Sequence, residues 1–407
     1  MPTKRAVFIF FFAVLFLLGA WISKVIWLYI AFSVSLGILI TGYIFSRLLI
    51  INIDIQRHLP AQIHENDIIT VGITVKNKVP LFDQSIEIQD IFTAAEPERQ
   101  KKVVFLQGLS RGKASFSYQE RCYKRGRYRI GPFQVKIFDP LSLFYWQKEL
   151  PVFSPLVVYP SIFSVRHMPF VLGHLAPRFG EQTTRISGDY EEFYGIREYR
   201  QEDGWRRIHW RSTARMSELM VMHFEQSSQW KAIFVLDAHA ANKAGYGKDT
   251  PFEYAIKIIA SCMKFLLNKN ASFGLIASAQ KPLRFDVSKG KNHYYSILDE
   301  LAVIEADGTT DVQHLISKFQ WIIPPSCSLI IATNNFDEKL IKFLKDLRLR
   351  KNTGIIPIVL NLDSFLGSVK RTDSRQKELA LRKALSQVCY DMYFINCKDD
   401  LKLHFIK

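Results

Sequence analysis

The sequence predicts a membrane-anchored multidomain chain: two N-terminal transmembrane helices, an antiparallel β-sandwich, and then a doubly wound α/β domain. Three observations predict it. Two apolar runs, Ala6 to Ile22 and Val25 to Phe45, stand at the start with only Ser23-Lys24 between them. Polar and apolar residues then alternate to about Tyr159, with no competing helical period. From Lys231 onward, short apolar runs are separated by amphipathic stretches, the rhythm of a mostly parallel sheet covered on both faces.

Each apolar run is long enough to cross a hydrocarbon core of roughly 30 Å, the first with little to spare. A cleaved signal peptide is disfavoured, because Leu18-Gly19-Ala20 is a poor cleavage site and a second run follows at once. Lys4 and Arg5 precede the first run, and Arg47 and Arg57 follow the second, against Lys24 in the turn. That asymmetry predicts a multi-pass protein of the cell membrane whose main body faces the cytoplasm. The formal net charge of +16 suits a body held beside an anionic leaflet. The five cysteines (Cys122, Cys262, Cys327, Cys389, Cys397) are scattered with no CxxC pair, as expected of buried thiols in a reducing compartment.

Four segments follow: a transmembrane hairpin over 1–50, a β-sandwich over 51–160, a charged segment over 161–230 and an α/β domain over 231–407. Strands of the sandwich are expected at Ile68–Asn77, Ser85–Phe92, Lys101–Gln107, Ala114–Cys122 and Arg127–Pro140. Within it, RCYKRGRYR (Arg121 to Arg129) is the densest basic patch. It alternates like a strand and has no aromatic platform, so a solvated or lipid-facing sheet edge is expected and specific nucleic-acid binding is not. In the α/β domain strands are expected at Lys231–Ala238, Ser272–Ser278, Ser328–Thr333, Gly354–Leu362 and Met392–Asn396. Helices fill the intervals over Pro251–Asn268, His293–Glu305, Asp311–Trp321, Asp337–Leu349 and Ser374–Cys389. Ligands in such folds sit at the carboxyl ends of the strands, which singles out the loops after Leu236, Ile331 and Leu360.

The charged segment carries the strongest local signal. Gly188 to Arg215, GDYEEFYGIREYRQEDGWRRIHWRSTAR, holds six acids and six bases, and every base is arginine. Guanidinium groups grip carboxylates through a planar fork, and Tyr190, Phe193, Tyr194, Tyr199, Trp205 and Trp210 are threaded between them. The expectation is a lattice of arginine–carboxylate pairs, with Arg207 and Arg211 forked to Glu198 or Glu202, that fixes the sandwich to the α/β domain. A docking surface is the other reading. Asp203, His209 and Ser212 lie close in sequence, but a triad is recognised by geometry and not by proximity, so a packed, hydrogen-bonded histidine is expected. No phosphate loop, GxSxG elbow or HExxH helix is present. Asp237, after the first α/β strand, supplies one oxygen ligand where a hard cation needs several, so no metal or other cofactor is expected.

The charged segment with LMVMHFEQ (Leu219 to Gln226) resembles the signature of the domain-of-unknown-function 58 family, on Gly188, Phe193, Arg197, Tyr199, Arg207, Ile208, Trp210, Ala214, Arg215 and Glu225. The family's GD pair stands reversed here as Asp203-Gly204. Upstream, KRGRYRIGPFQVKIFDPLSLF (Lys124 to Phe144) is similar to the family's second signature, with its G-P and D-P-x-x-L-F turns. The resemblance implies a membrane-anchored protein with a β-sandwich and a von Willebrand factor A-like domain, working beside an AAA+ ATPase of the MoxR type. It also implies a degenerate metal-site loop: Asp237 stands and Thr309 fits the second loop, but His239 and Ala241 replace both hydroxyls of D-x-S-x-S. On this reading the interaction motif comprises Gly188, Phe193, Arg197, Tyr199, Arg207, Trp210, Arg211, Arg215 and Glu225. The expected function is a non-enzymatic scaffold that binds a protein partner and helps assemble or remodel an envelope-associated complex. The rival is an enzyme acting on a phosphate-bearing or peptide substrate through Arg207, His209 and Arg211; it lacks a visible nucleophile, base or metal.

Overall fold

In the computed structural model of the chain, helices α1 (Lys4–Ser23) and α2 (Ile26–Leu49) take up the two apolar runs. The structure describes residues 2–49, 53–77, 84–109, 112–139, 141–169, 191–199, 205, 208–226, 230–240, 243–366, 371–389 and 391–405. Both helices are long and apolar enough to cross a membrane. Thr3 caps α1, and Lys24 ends it in the left-handed conformation with its N–H on the Ala20 carbonyl. Ala6, Ala13 and Ala20, spaced by seven, are the buried residues of α1, so small side chains line the seam where α2 approaches. The larger residues, Phe8, Phe11, Leu18 and Trp21 on α1 and Trp27, Ile30 and Val34 on α2, face outward. Hydroxyls of Ser23, Ser35 and Thr41 donate back to the carbonyls of Gly19, Ala31 and Gly37, which leaves none of these polar groups unpaired in an apolar surround.

The chain divides into two units, Met1–Ile162 with Leu298–Ile304, and Phe163–Ile297 with Glu305–Lys407. After the helices, the described residues of the first unit form the strands β1 (Ile53–His58), β2 (Ile63–His64), β3 (Ile68–Asn77), β4 (Gln84–Ile91), β5 (Lys101–Leu109), β6 (Gly112–Arg121), β7 (Gly126–Ile130), β8 (Phe133–Phe138), β9 (Tyr145–Leu150) and β10 (Ser154–Tyr159). They form sheets ordered β1-β3-β6, β5-β4-β8-β9 and β2-β10-β7. Alternate residues bury in one core, among them Val71, Ile73 and Val75 of β3, Ile86 and Ile88 of β4, and Phe133, Val135 and Ile137 of β8. The single strand expected over Arg127–Pro140 is two strands in different sheets. Gly131 adopts φ +121°, where an added Cβ would collide with the Val152 carbonyl oxygen, and Pro132 has no N–H for the ladder.

A charged network sits inside this core. The Arg57 guanidinium, fully buried, pairs with Asp90 through Nη2–Oδ1 at 2.5 Å and Nε–Oδ2 at 3.1 Å, and donates to the Ile130 carbonyl and Ser154 hydroxyl. Tyr118 donates to Asp90 Oδ2 at 2.7 Å, and burial followed by the Asp90 charge pushes its phenol well above the usual range. Arg57, counted among the flanking charges in the sequence, is therefore neutralised within the fold. The RCYKRGRYR patch also departs from a purely solvated edge. Arg121, Arg127 and Arg129 are exposed, but Arg125 is buried and donates to the carbonyls of Leu301, Ala302 and Ile304 in the same unit, at 2.7, 3.2 and 2.8 Å. Leu301 and Ala302 lie in the last turn of the helix over Lys291–Val303, where carbonyls lack intrahelical donors, so a buried guanidinium finds acceptors there.

The second unit opens with β11 (Glu191–Glu198), α3 (Trp210–Met216) and β12 (Met220–Gln226), β11 and β12 pairing as an antiparallel ladder. Then follow β13 (Lys231–Leu236), α4 (Pro251–Asn268), β14 (Ser272–Ala277), β15 (Leu283–Ser288), α5 (Lys291–Val303, of which the residues from Leu298 on belong to the first unit), α6 (Val312–Lys318), β16 (Ser328–Thr333), α7 (Glu338–Lys351), β17 (Gly354–Leu360), α8 (Leu362–Leu366), α9 (Arg371–Leu385), β18 (Tyr393–Ile395) and α10 (Leu401–His404). The six-stranded sheet runs β15-β14-β13-β16-β17-β18, parallel except for the edge strand β15. Strands β14 and β16 are buried at every position, as continuous apolar runs require in a sheet covered on both faces. Thr250 caps α4 on the Glu253 N–H with Pro251 in the first turn, and Asp337 caps α7 on the Leu340 N–H.

Candidate functional site

Helix α3 is a short turn clamped to the strand that follows it. His209 caps it: Nδ1 accepts the Ser212 backbone N–H at 3.2 Å and lies 2.9 Å from the Ser212 hydroxyl. An Nδ1 that accepts a backbone N–H carries no proton, so Ser212 Oγ is the donor in that second bond and the ring hydrogen resides on Nε2. The histidine is thus an N-cap, as the expectation of a packed, hydrogen-bonded residue required. At the other end Ser217 turns left-handed and its N–H reaches the Thr213 carbonyl, while the Met220 N–H donates to Thr213 Oγ1 at 3.0 Å. The His209 N–H bonds to the Met220 carbonyl, and Ile208 and Val221 form a bridge with both side chains buried.

What this clamp presents to solvent is aromatic and basic. Trp210 is 65% exposed and Trp205 68%, the latter with its ring 5.8 Å from that of Tyr199. Arg211, Ala214 and Arg215 are exposed on the helix, and neither arginine has an ion pair among the described residues. Arg211 and Arg215 stand four apart, where like charges oppose each other by a few tenths of a kcal/mol. Arg211 is exposed and is not paired with Glu198, while its other expected partner, Glu202, lies outside the described residues. Of the other motif residues, Gly188 and Arg207 lie outside the described residues, as does Glu202. Phe193, Arg197 and Glu225 are placed by backbone alone, Phe193 opposite Phe224, Arg197 opposite Val221 and Glu225 opposite Glu192.

A second cluster forms at the carboxyl ends of β13, β14 and β16, where the strand order reverses. Asp237 is buried and its carboxylate is filled by the fold itself. Oδ2 accepts the Thr333 hydroxyl at 2.5 Å, and Oδ1 accepts the His239 N–H at 3.1 Å and the Ser278 hydroxyl at 3.4 Å. Ser278 Oγ also accepts the Ala238 N–H at 2.8 Å, and Thr333 Oγ1 accepts the Asn335 N–H at 3.1 Å. The loop containing Gly308 lies against this cluster through Gly308 N–H to the Ala238 carbonyl and Ala240 N–H to the Gly308 carbonyl, both 2.9 Å. An added Cβ at Gly308 would collide with the Ser278 carbonyl oxygen, so only glycine permits the approach. Thr309, expected beside Asp237, is exposed and makes no hydrogen bond among the described residues. The hydroxyls on the carboxylate come instead from Ser278 and Thr333, which neither spacing nor the resemblance singled out. No group of three or more His, Cys, Asp or Glu side chains that could hold a metal occurs among the described residues. Chemically, the cluster spends its one carboxylate on tying three loop tips together.

Residues 195–386 match the family described as "Protein of unknown function DUF58". The "Uncharacterized protein YeaD" of Bacillus subtilis (strain 168) is 22% identical over 263 residues, and the match spans 62% of this chain and 62% of that relative's length. Among solved structures, proximal thread matrix protein 1 from the mussel byssus is 14% identical over 42% of this chain and 44% of its own, with a TM-score of 0.29. A CARDB domain from Pyrococcus furiosus is 11% identical over 27% of this chain and 92% of its own, with a TM-score of 0.19. Likenesses at that level leave the architecture to be read from the strands themselves.

Proposed function

We propose that the chain is a membrane-anchored, cytoplasm-facing scaffold that binds a protein partner, an AAA+ ATPase of the MoxR type, in assembling or remodelling an envelope-associated complex. The observation that carries this reading is the solvent-facing Trp210, Arg211 and Arg215 on a clamped turn, with Trp205 exposed ahead of it. Tryptophan and arginine dominate the residues that hold protein interfaces together, and exposed ones gain most from a partner that covers the rings and offers acids to the guanidiniums. On this reading the first unit is a β-sandwich that positions the anchor, and the second is a von Willebrand factor A-like domain. Support for the latter is the β15-β14-β13-β16-β17-β18 order with Asp237 at its switch point. On this reading the loop tips serve as a protein surface, and the hydrogen bonds that Asp237 accepts from Thr333, Ser278 and His239 support it. Orientation rests on Lys4, Arg5 and Arg47 against Lys24.

The experiment is purification of the full chain from solubilised native membranes, with and without ATP, and identification of bound proteins. Recovery of an AAA+ ATPase whose retention changes with nucleotide is the expected outcome. Recovery of the chain alone, under conditions that preserve other membrane complexes, would reject the partnership.

A further inference from the structure

A groove of about 620 Å³ opens at the base of the helical hairpin, lined by Lys4, Arg5, Phe8, Ile9, Ile38, Leu141 and Leu143. That volume lies inside the range of small-ligand sites, roughly 300–1,000 Å³. One wall is a turn built for the purpose. Asp139 accepts the Phe144 N–H on Oδ1 at 2.6 Å and the Leu141 N–H on Oδ2 at 3.1 Å, so its buried carboxylate is occupied by backbone. The turn is fixed to the start of α1: the Thr3 hydroxyl donates to the carbonyls of Ser142 and Leu143 at 2.9 and 2.8 Å, and the Thr3 N–H also reaches Leu143. Ala6, Leu39 and Leu143 pack behind it with Ile9 and Phe144. The outcome is an apolar slot, with Phe8 and Leu141 exposed, whose polar boundary is two cations. Neither Lys4 nor Arg5 has an ion pair among the described residues.

We infer that this groove holds one membrane phospholipid with an anionic headgroup, its acyl chain against Phe8, Ile9, Ile38 and Leu141 and its phosphate on Lys4 and Arg5. The inference rests on the membrane-spanning reading of α1 and α2. Charge and shape select this occupant. A slot of hydrocarbon ending in an ammonium and a guanidinium matches a molecule with a long apolar tail and a negative head at the membrane surface. A soluble acidic peptide would leave the apolar walls uncovered.

The test is native mass spectrometry of the full chain in neutral detergent, titrated with phosphatidylglycerol or phosphatidylcholine. One phosphatidylglycerol per chain should be retained in preference to phosphatidylcholine. Lys4→Gln with Arg5→Gln should weaken retention roughly thirtyfold, each cation near an anionic surface being worth about 1 kcal/mol. The exchange Lys4→Arg with Arg5→Lys should retain binding. Equal retention of the two lipids, or no effect of the double glutamine variant, would overturn the inference, as would displacement of the adduct by inorganic phosphate. If the double variant does not purify, Leu141→Gln reads the same site from its exposed apolar wall, and unchanged retention there would also count against it. Flotation of the wild type with phosphatidylcholine vesicles separates the two readings: a chain that floats without lipid preference keeps its anchor and loses the lipid site, whereas one that does not float loses both.

Discussion

Replacing Thr333 by valine removes one hydroxyl and almost no volume, which makes it a clean probe of the strand-end cluster. The Thr333 hydroxyl is the shortest donor to Asp237, at 2.5 Å, and both residues are buried, so water cannot take its place on Oδ2. A hydrogen bond to a charged group contributes about 1.5–3 kcal/mol, and leaving a buried carboxylate oxygen without its donor puts the loss at the upper end, about 2–3 kcal/mol. The Asn335 N–H also loses its acceptor, but Asn335 is exposed and water replaces the bond. Two units with separate cores make a single melting temperature a poor measure of this. Hydrogen exchange of the β13 and β16 amides in the full chain is the better assay. Protection should fall roughly 30- to 150-fold in Thr333→Val. It should stay unchanged in Thr309→Val, because that side chain stands in solvent. Equal protection in wild type and Thr333→Val would refute the reasoning, since the carboxylate would then be held by something else.

Other outcomes follow from particular side chains. Asp90→Ala strands a fully buried guanidinium and should destabilise the first unit by about 3–5 kcal/mol, read as lost exchange protection in β1 and β4 with β13 untouched. Four thiols are buried, and burial raises all of them, Cys122 and Cys327 to about 12 and Cys389 to about 11 from an ordinary 9.0. Burial raises the half-buried Cys397 thiol too, so Cys397 should react slowly, but ahead of the others, with a thiol reagent in the native protein, and the other four only after denaturation. The sign for stability follows: a thiol kept protonated in the fold contributes fully below pH 9.0 and loses that contribution as pH rises toward 12, so alkaline titration should destabilise the wild type more than Cys122→Ala. Cys397 is also the proper reporter of sidedness, because buried Cys122 resists reagents from either face. In sealed cells an impermeant maleimide should leave Cys397 unmodified, and labelling from outside would reverse the proposed orientation.

Much of the architecture was legible because local pattern and burial agree. SLIIAT at β16 is apolar throughout and is buried throughout, and Thr250-Pro251 marks the start of α4 as a cap and first-turn proline should. Strand β15 escaped notice because LRFDVS alternates with half its residues in water, and an edge strand reads like a loop that happens to alternate. The break at Gly131 was hidden in a continuous alternation, since the period survives while the chain passes from one sheet to another. Site residues were less legible for a different reason. The acceptors of Arg125 are backbone carbonyls more than 170 residues away, and backbone leaves no mark in side-chain patterns. Thr333 became a partner of Asp237 only through the sheet order that sets β16 beside β13. Because equal numbers of acids and bases carry no information on exposure, composition alone cannot say which arginines of the charged segment face solvent. Arg211 does face it.

The exposed face of α3 is tested most directly by placing a photo-cross-linking amino acid at Trp210 in the full chain, in native membranes, beside Arg211→Ala. Cross-links from position 210 to one protein partner are expected, with none from a control position on the exposed side of β15 such as Arg284. Arg211→Ala should abolish those cross-links while leaving exchange protection of β12 within about 1 kcal/mol of wild type, the limit for an exposed charge. Loss of β12 protection in Arg211→Ala, with no cross-link from position 210 in the otherwise native chain, would contradict the docking face and restore the arginine to an internal lattice.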